Sequence, residues 1–188
     1  MVVTTKLVEI RWHGRGGQGA VTSAELLARA AINEGKYAQA FPSFGPERRG
    51  APVLSFVRIS NEQIRIRAEI TKPDVVVVLD PSLLRMINVA AGIKDNGTLV
   101  INTSKSAEVI KTEFNIKQRL ATVDATKIAR EILGVPITNT TMIGALVKAT
   151  DVVDLESLVD PVKERFRRLA DRNINAMKRA YEDTMVKE

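Results

Sequence analysis

Cysteine is absent from this sequence and histidine occurs once, as His13. The first absence removes disulfides, thiolate nucleophiles, zinc fingers and cysteine-ligated iron–sulfur clusters. The second removes metal sites built on two or three histidines. Any redox centre that the function needs must therefore sit on another chain. Long apolar runs are missing too. The longest aliphatic stretch, Val75 to Leu79, falls far short of the roughly 20 residues that cross a bilayer, so no membrane association is expected. Met1 to Lys6 lacks a basic region followed by an apolar core, which argues against a secretory signal and for a cytoplasmic protein.

What is present is ordinary globular composition. The chain has 188 residues, 45% hydrophobic and 27% charged, which suits one domain spanning 1–188 with its own core. Lys and Arg number 28 against 22 Asp and Glu, a net charge of +6 and a sequence pI near 9.7. That excess leaves three classes of anionic partner: nucleic acid, anionic lipid, or a phosphorylated small molecule.

Leu7 to Trp12 alternates Val8, Ile10 and Trp12 with Leu7, Glu9 and Arg11, the period of a strand. A glycine cluster follows, and then Val21, Ala24, Leu27, Ala28 and Ala31 recur at helical spacing as far as Gly35, a natural helix terminator. Lys36 to Phe41 reads as a short second strand, and the prolines and glycines between Pro42 and Pro52 exclude regular structure there. Val53 to Ile59 and Gln63 to Ala68 read as the two arms of a hairpin. Asp74 to Asp80 encloses a continuous β-branched run, as expected of a central parallel strand covered on both faces. A helix from Ser82 to about Ala91, a strand over Thr98 to Asn102, and a short strand ending at Thr122-Val123 continue the rhythm. Asp124 caps a helix through Leu133, with Gly134 just past its end. Thr138 to Thr150 is a further helix and the remainder a long amphipathic one, its apolar face at 155, 158, 159, 162, 166, 169, 170, 173, 177, 180 and 181 with Asn173 the lone polar exception. The fold class is α/β: an open, mostly parallel, Rossmann-like sheet flanked by helices, with a β-hairpin margin and a long C-terminal helix.

Gly14-Arg15-Gly16-Gly17-Gln18-Gly19 satisfies G-x-G-x-x-G between a strand and a helix, the context that gives this pattern meaning. Glycines let the turn be tight, and the free amides and positive dipole end of the following helix attract an anion. A glycine turn needed only for close strand–helix packing produces the same spacing. A dinucleotide site further requires a carboxylate about 20 residues on to hold the ribose, and Tyr37 to Pro42 supplies none. The phosphate loop of nucleoside triphosphatases requires Lys-Ser or Lys-Thr after its glycines, where this chain has Ala20-Val21. A different phosphate-bearing ligand is preferred, and coenzyme A fits.

A second constellation is Phe44 to Pro52, a stiff loop with adjacent Arg48 and Arg49 directly after the second strand. Loops beyond the carboxyl ends of neighbouring strands face one crevice, so this loop and the glycine loop are expected to converge. The arginines are the stronger anchor: a charge-assisted hydrogen bond contributes about 1.5–3 kcal/mol, against about 0.3–1 kcal/mol for a helix terminus. A solvated basic loop or a salt bridge to a partner chain is the plainer explanation of the same residues.

Trp12 to Ala20, the Phe41 to Gly50 loop, the Asp74 to Asp80 strand and Asn139 to Ala145 together resemble the γ subunit of pyruvate and related 2-oxoacid:ferredoxin oxidoreductases. The resemblance covers nearly the whole chain and is weakest in the final helix. It implies a domain resembling domain III of 2-oxoacid oxidoreductases, without clusters of its own. That domain would be assembled with α and β subunits holding thiamine diphosphate and a δ subunit carrying [4Fe-4S] clusters, and electrons would pass on to ferredoxin. It also implies coenzyme A binding: Gly14, Arg15, Gly16, Gly17, Gln18 and Gly19 match the glycine loop of the coenzyme site, and Arg48 and Arg49 match basic positions of its second loop. No catalytic or metal residue is implied on this chain.

Other residues invite plainer readings. His13, without a metal or nucleophile companion, reads as a hydrogen-bonded structural residue. Asn139 reads as a helix cap. The basic residues Lys163, Arg165, Arg167, Arg168, Arg172, Lys178 and Arg179 read as a solvated or partner-facing side, because no nucleic-acid-binding motif accompanies them. The rival function is a free-standing nucleotide- or RNA-binding α/β protein.

Overall fold

The computed structural model describes residues 7–43 and 50–188. The alternating start of the chain forms β1 (Val8–Arg15), and the alanine-rich stretch after the glycines forms α1 (Ala20–Asn33). β2 (Tyr37–Pro42) and β3 (Pro52–Ser60) follow, and then the valine run as β4 (Val75–Val78). The order continues through α2 (Leu83–Met86), β5 (Thr98–Asn102), α3 (Ala107–Phe114), β6 (Arg119–Val123), α4 (Ala125–Leu133) and α5 (Asn139–Thr150). It closes with α6 (Val159–Phe166), α7 (Ala170–Asp183) and β7 (Met185–Lys187).

All seven strands belong to one sheet, ordered β2-β3-β1-β4-β5-β6-β7. β1, β4, β5 and β6 are parallel neighbours, while β3 and β2 extend one side and β7 the other by antiparallel pairing. The β4 valines are buried on both faces, as a central strand requires. On one face α1, α4, α5 and α7 pack over Ile10, Trp12, Val77 and Val100. On the other, α2 and α3 pack over Val76, Val78, Leu99 and Ile101. Asp124 caps α4 by accepting from the Lys127 amide at 2.9 Å, and Gly134 ends it with φ +78°.

Two expectations are corrected. Gln63 to Ala68 is not a strand, and the antiparallel margin is made by β2 and β3 instead. The reason is edge availability: β3 already pairs with β1 on one side and β2 on the other, so no second arm can join it. The 63–68 segment crosses the sheet face, where Gln39 Nε2 donates to the Ile64 carbonyl at 3.1 Å and Arg58 Nη2 to the Ala68 carbonyl at 2.7 Å. The helix expected over Ser82 to Ala91 stops at Met86. Beyond it, the carbonyls of Val89 and Ala91 accept from Arg11 Nη2 at 3.0 and 2.6 Å.

The C-terminal helical segment is present in two lengths, α6 and α7, broken where Arg167 takes φ 49° and ψ −114°. Asn173 is buried and satisfied: Thr140 Oγ1 donates to its Oδ1 at 2.8 Å, and its Nδ2 donates to the Leu169 carbonyl at 2.9 Å. α3 and β7 have no counterpart among the elements read from the sequence. No described helix is long and apolar enough to cross a membrane.

α5 and α7 cross in near backbone contact. A Cβ on Gly144 would lie 2.0 Å from the Met177 carbonyl oxygen. Gly144→Ala is therefore expected to destabilise the fold by about 1–3 kcal/mol through overpacking, read as a lowered urea midpoint with an unchanged m-value.

Candidate functional site

β1 and β4 are neighbours, yet α1 leaves β1 onto one face of the sheet and α2 leaves β4 onto the other. Diverging connections of this kind open a crevice beyond the carboxyl ends of the strands. Its walls are the Gly14–Gly19 loop and the turn Leu79 to Ser82. Gly17 (φ +92°) and Gly19 (φ +81°) adopt conformations that disfavour any side chain, and nothing lies within 4 Å of a Cβ built on Gly17. Gly19 precedes α1, whose first turn has neither an acidic residue nor a side-chain cap, so its leading amides are unclaimed by the helix.

The loop is held by a network centred on Asp80. Asp80 Oδ2 accepts from Arg15 Nε at 3.0 Å and from Gln18 Nε2 at 2.9 Å, while Oδ1 accepts from the Ser82 amide at 2.9 Å and hydroxyl at 2.5 Å. Gln18 Oε1 in turn accepts from the Arg15 amide at 2.7 Å. Burial alone would raise the Asp80 carboxyl. The two Ser82 donations, then Gln18 and the Arg15 charge, outweigh it and hold the group below the usual carboxylate range.

The second loop meets this network at its described end. Gly16 N donates to the Ala51 carbonyl at 3.0 Å, Gly50 N to the Gly16 carbonyl at 3.4 Å, and Arg15 Nη1 to the Gly50 carbonyl at 3.0 Å. The two loops thus converge as their positions in the sheet require. Arg48 and Arg49 themselves lie outside the described residues. Arg15 also donates through Nη2 to Ser82 Oγ at 2.7 Å and to Met86 Sδ at 2.9 Å. Of its five N–H groups these contacts leave one, on Nη1.

Three further residues bear on the site. Asn139 belongs to the first turn of α5 rather than to the cap position, which Thr138 occupies. Its Nδ2 would lie 2.7 Å from a Cβ on Gly19, and its backbone carbonyl accepts from Ser23 Oγ of α1 at 3.2 Å. Gly19 is therefore required for packing against α5 as well as for its φ, as the packing reading of the glycine loop expects. His13 is buried on the sheet face opposite α1; its Nε2 accepts from Arg11 Nε at 3.1 Å and its Nδ1 has no partner among the described residues. Burial first, and the Arg11 charge second, pull its imidazole down to about 3. No group of His, Asp and Glu able to hold a metal occurs among the described residues.

Sequence reasoning overlooked Asp80 as part of the site, although it carried a signal as the carboxylate closing the strand next to β1. Asn139 is singled out in the sequence as a helix cap; its packing on Gly19 is not legible there, because that contact spans 120 residues of chain.

Fold and site define a switch-point α/β domain whose glycine loop leads into a helix with uncapped leading amides. The family model for pyruvate ferredoxin/flavodoxin oxidoreductase matches residues 9–183. A pyruvate/ketoisovalerate oxidoreductases common subunit gamma from Pyrococcus furiosus is 55% identical over 184 residues, 97% of this chain and 100% of that protein. The crystal structure of the Thermotoga maritima pyruvate oxidoreductase subunit PORC superposes with a TM-score of 0.86 at 39% identity, covering 97% of this chain and 99% of that one. At the level of fold alone, a 2-oxoglutarate:ferredoxin oxidoreductase from Magnetococcus marinus, solved with 2-oxoglutarate, coenzyme A and succinyl-CoA, matches with a TM-score of 0.77 at 19% identity. It covers 94% of this chain but 31% of that one. The chain belongs to the pyruvate ferredoxin/flavodoxin oxidoreductase family, as a gamma-type subunit of a pyruvate:ferredoxin oxidoreductase. Membership sets aside the free-standing nucleotide- or RNA-binding protein.

Two outcomes follow from the geometry. Asp80→Ala leaves partly buried donors on Arg15, Gln18 and Ser82 without their acceptor, and is expected to cost about 1–3 kcal/mol in chemical denaturation. His13 stays neutral in the folded chain down to about pH 3, whereas in the unfolded chain it takes a proton below its ordinary value of 6.5. Its contribution is thus complete above pH 6.5 and is lost on acidification toward pH 3, at about 1.4 kcal/mol per pH unit. Denaturation at successive pH values should show a His13→Gln variant losing stability less steeply across that window, by about one proton's worth.

Proposed function

We propose that this subunit holds coenzyme A for the oxidoreductase and presents its thiol to an acyl group carried on another subunit. The observation that supports the reading best is the convergence of two phosphate-compatible loops at one crevice. The glycine loop, which leads into the open amides at the start of α1, is joined through Gly16 by backbone hydrogen bonds to Gly50 and Ala51, at the end of the loop whose sequence holds Arg48 and Arg49. In this reading Gly14, Gly16, Gly17 and Gly19 let the backbone approach the pyrophosphate, and Gln18 with Asp80 keeps that backbone in shape. Arg15 fixes the glycine loop to the second loop and lends its charge, while Arg48 and Arg49 supply the guanidiniums for the phosphates.

The reaction is the oxidative decarboxylation of pyruvate, or a related 2-oxoacid, to an acyl-coenzyme A and CO2 with reduction of ferredoxin. Thiamine diphosphate on a partner subunit supplies the carbanion chemistry of decarboxylation, and [4Fe-4S] clusters on partner subunits carry the electrons. The partners are α, β and δ subunits in a cytoplasmic heterotetramer, with this chain contributing one domain over 1–188. Its residues do no bond-breaking: they bind and orient. Holding the thiol against its acceptor turns a bimolecular encounter into a local one, which is where a positioning subunit contributes rate.

In the assembled enzyme, Arg48→Ala combined with Arg49→Ala should raise KM for coenzyme A by tenfold or more, corresponding to at least about 1.4 kcal/mol, and leave KM for the 2-oxoacid nearly unchanged. Steady-state kinetics with each substrate varied in turn decide it, and unaltered coenzyme A kinetics would remove these arginines from the site.

A further inference from the structure

One position of the apolar C-terminal face is not used inside the molecule. Of the eleven, ten are buried or half-buried, whereas Leu169 is 48% exposed. It is turned outward by the break between α6 and α7, where Arg167 adopts a backbone conformation that L side chains rarely take. Val135 and Ile137, on the short α4–α5 connection, are exposed to a similar degree, 45% and 46%. With Leu133, Phe166 and Leu169 they line one shallow depression. Arg172 stands in its wall, and Arg167 and Arg168 adjoin it in the chain. None of these three exposed guanidiniums makes an ion pair among the described residues, although Lys178 and Arg179 further along α7 each make one. Asn139, which abuts Gly19, also lines the depression and places it behind the glycine loop.

We infer that this depression is the seat of another subunit of the same oxidoreductase, one that inserts an apolar side chain and surrounds it with carboxylates. The apolar lining calls for an apolar insert, and the unpaired arginines beside it call for negative charge around that insert. A subunit needs at least one such surface, and here exposed guanidiniums without ion pairs gather beside an apolar depression. Because Asn139 sits between the depression and Gly19, a subunit seated here bears on the back of the glycine loop. The inference rests on the chain being a subunit and not on its ligand.

The test is assembly, read by native mass and sedimentation on the chain co-expressed with the remaining subunits from the same genome, without coenzyme. Two double variants are used: Ile137→Glu with Leu169→Glu, and Arg168→Glu with Arg172→Glu. All four side chains are exposed, so each isolated full chain should keep its melting temperature. Retention of this chain in the complex should fall by about tenfold or more in both variants, and wild-type retention should weaken as salt is raised. Stoichiometric retention of either folded variant would overturn the inference. So would a wild-type chain that dimerises with itself through this face, or full retention accompanied by a changed KM for coenzyme A, which would give the depression to a second copy or to the ligand.

Discussion

The position of β1 governs the architecture. It is paired on both edges, parallel to β4 and antiparallel to β3, and its outgoing helix takes the face opposite to that taken by the helix leaving β4. Where the helices leaving two neighbouring parallel strands diverge, a crevice must form, and β1 and β4 are such a pair. The glycine loop and the Asp80 turn meet because they terminate the two strands that flank this crevice. The antiparallel return of β3 then delivers Gly50 and Ala51 to the same edge, since the β1–β3 ladder runs on to Arg15 and Pro52.

Among the described residues, no helix covers the second face of the half of the sheet formed by β1, β3 and β2. Two buried guanidiniums take over the covering role. Arg11 ties down the turn at Val89 and Ala91, and Arg58 ties down the strand-like segment at Ala68 while pairing with Glu9 at 2.9 Å and stacking 5.4 Å from the Phe41 ring centre. Among the described residues Arg11 faces no carboxylate; burial lowers its pKa, and backbone carbonyls and the neutral His13 imidazole accept its donors instead. A charged imidazole there would be buried away from water and would set two cations side by side, so burial first and the Arg11 charge second hold His13 neutral. The covering segments are irregular, so their carbonyls are available to side chains, and the arginines use them in place of a helix's apolar face.

Features decided within a few residues were legible in the sequence. The β1–glycine–α1 unit, the buried valine strand, and the Asp124 and Gly134 ends of α4 each depend on neighbours close in the chain. What was not legible depended on distant availability. Ile64 and Ile66 alternate like a strand, but both edges of β3 are occupied. Arg11 and Arg58 alternate like solvent-facing residues, but a coil from elsewhere closes over them. In the site, Gly14 to Gly19 were recognisable from spacing because the backbone conformation there demands glycine. Asp80 was not recognised, because a carboxylate at a strand end reads the same whether it meets water or the hub of a network. Asn173 broke an apolar pattern for a reason visible only in three dimensions, its bond with Thr140.

The three residues of β7 have a consequence for the subunit before it finds its partners. β6 would otherwise expose a row of unpaired amides and carbonyls along a flat, β-rich margin, the kind of template on which like chains stack. By folding the chain back against Leu120 to Thr122, β7 occupies that row and leaves only a short strand outermost. The fold supplies this protection from its own last turn of sequence rather than from the complex it will join.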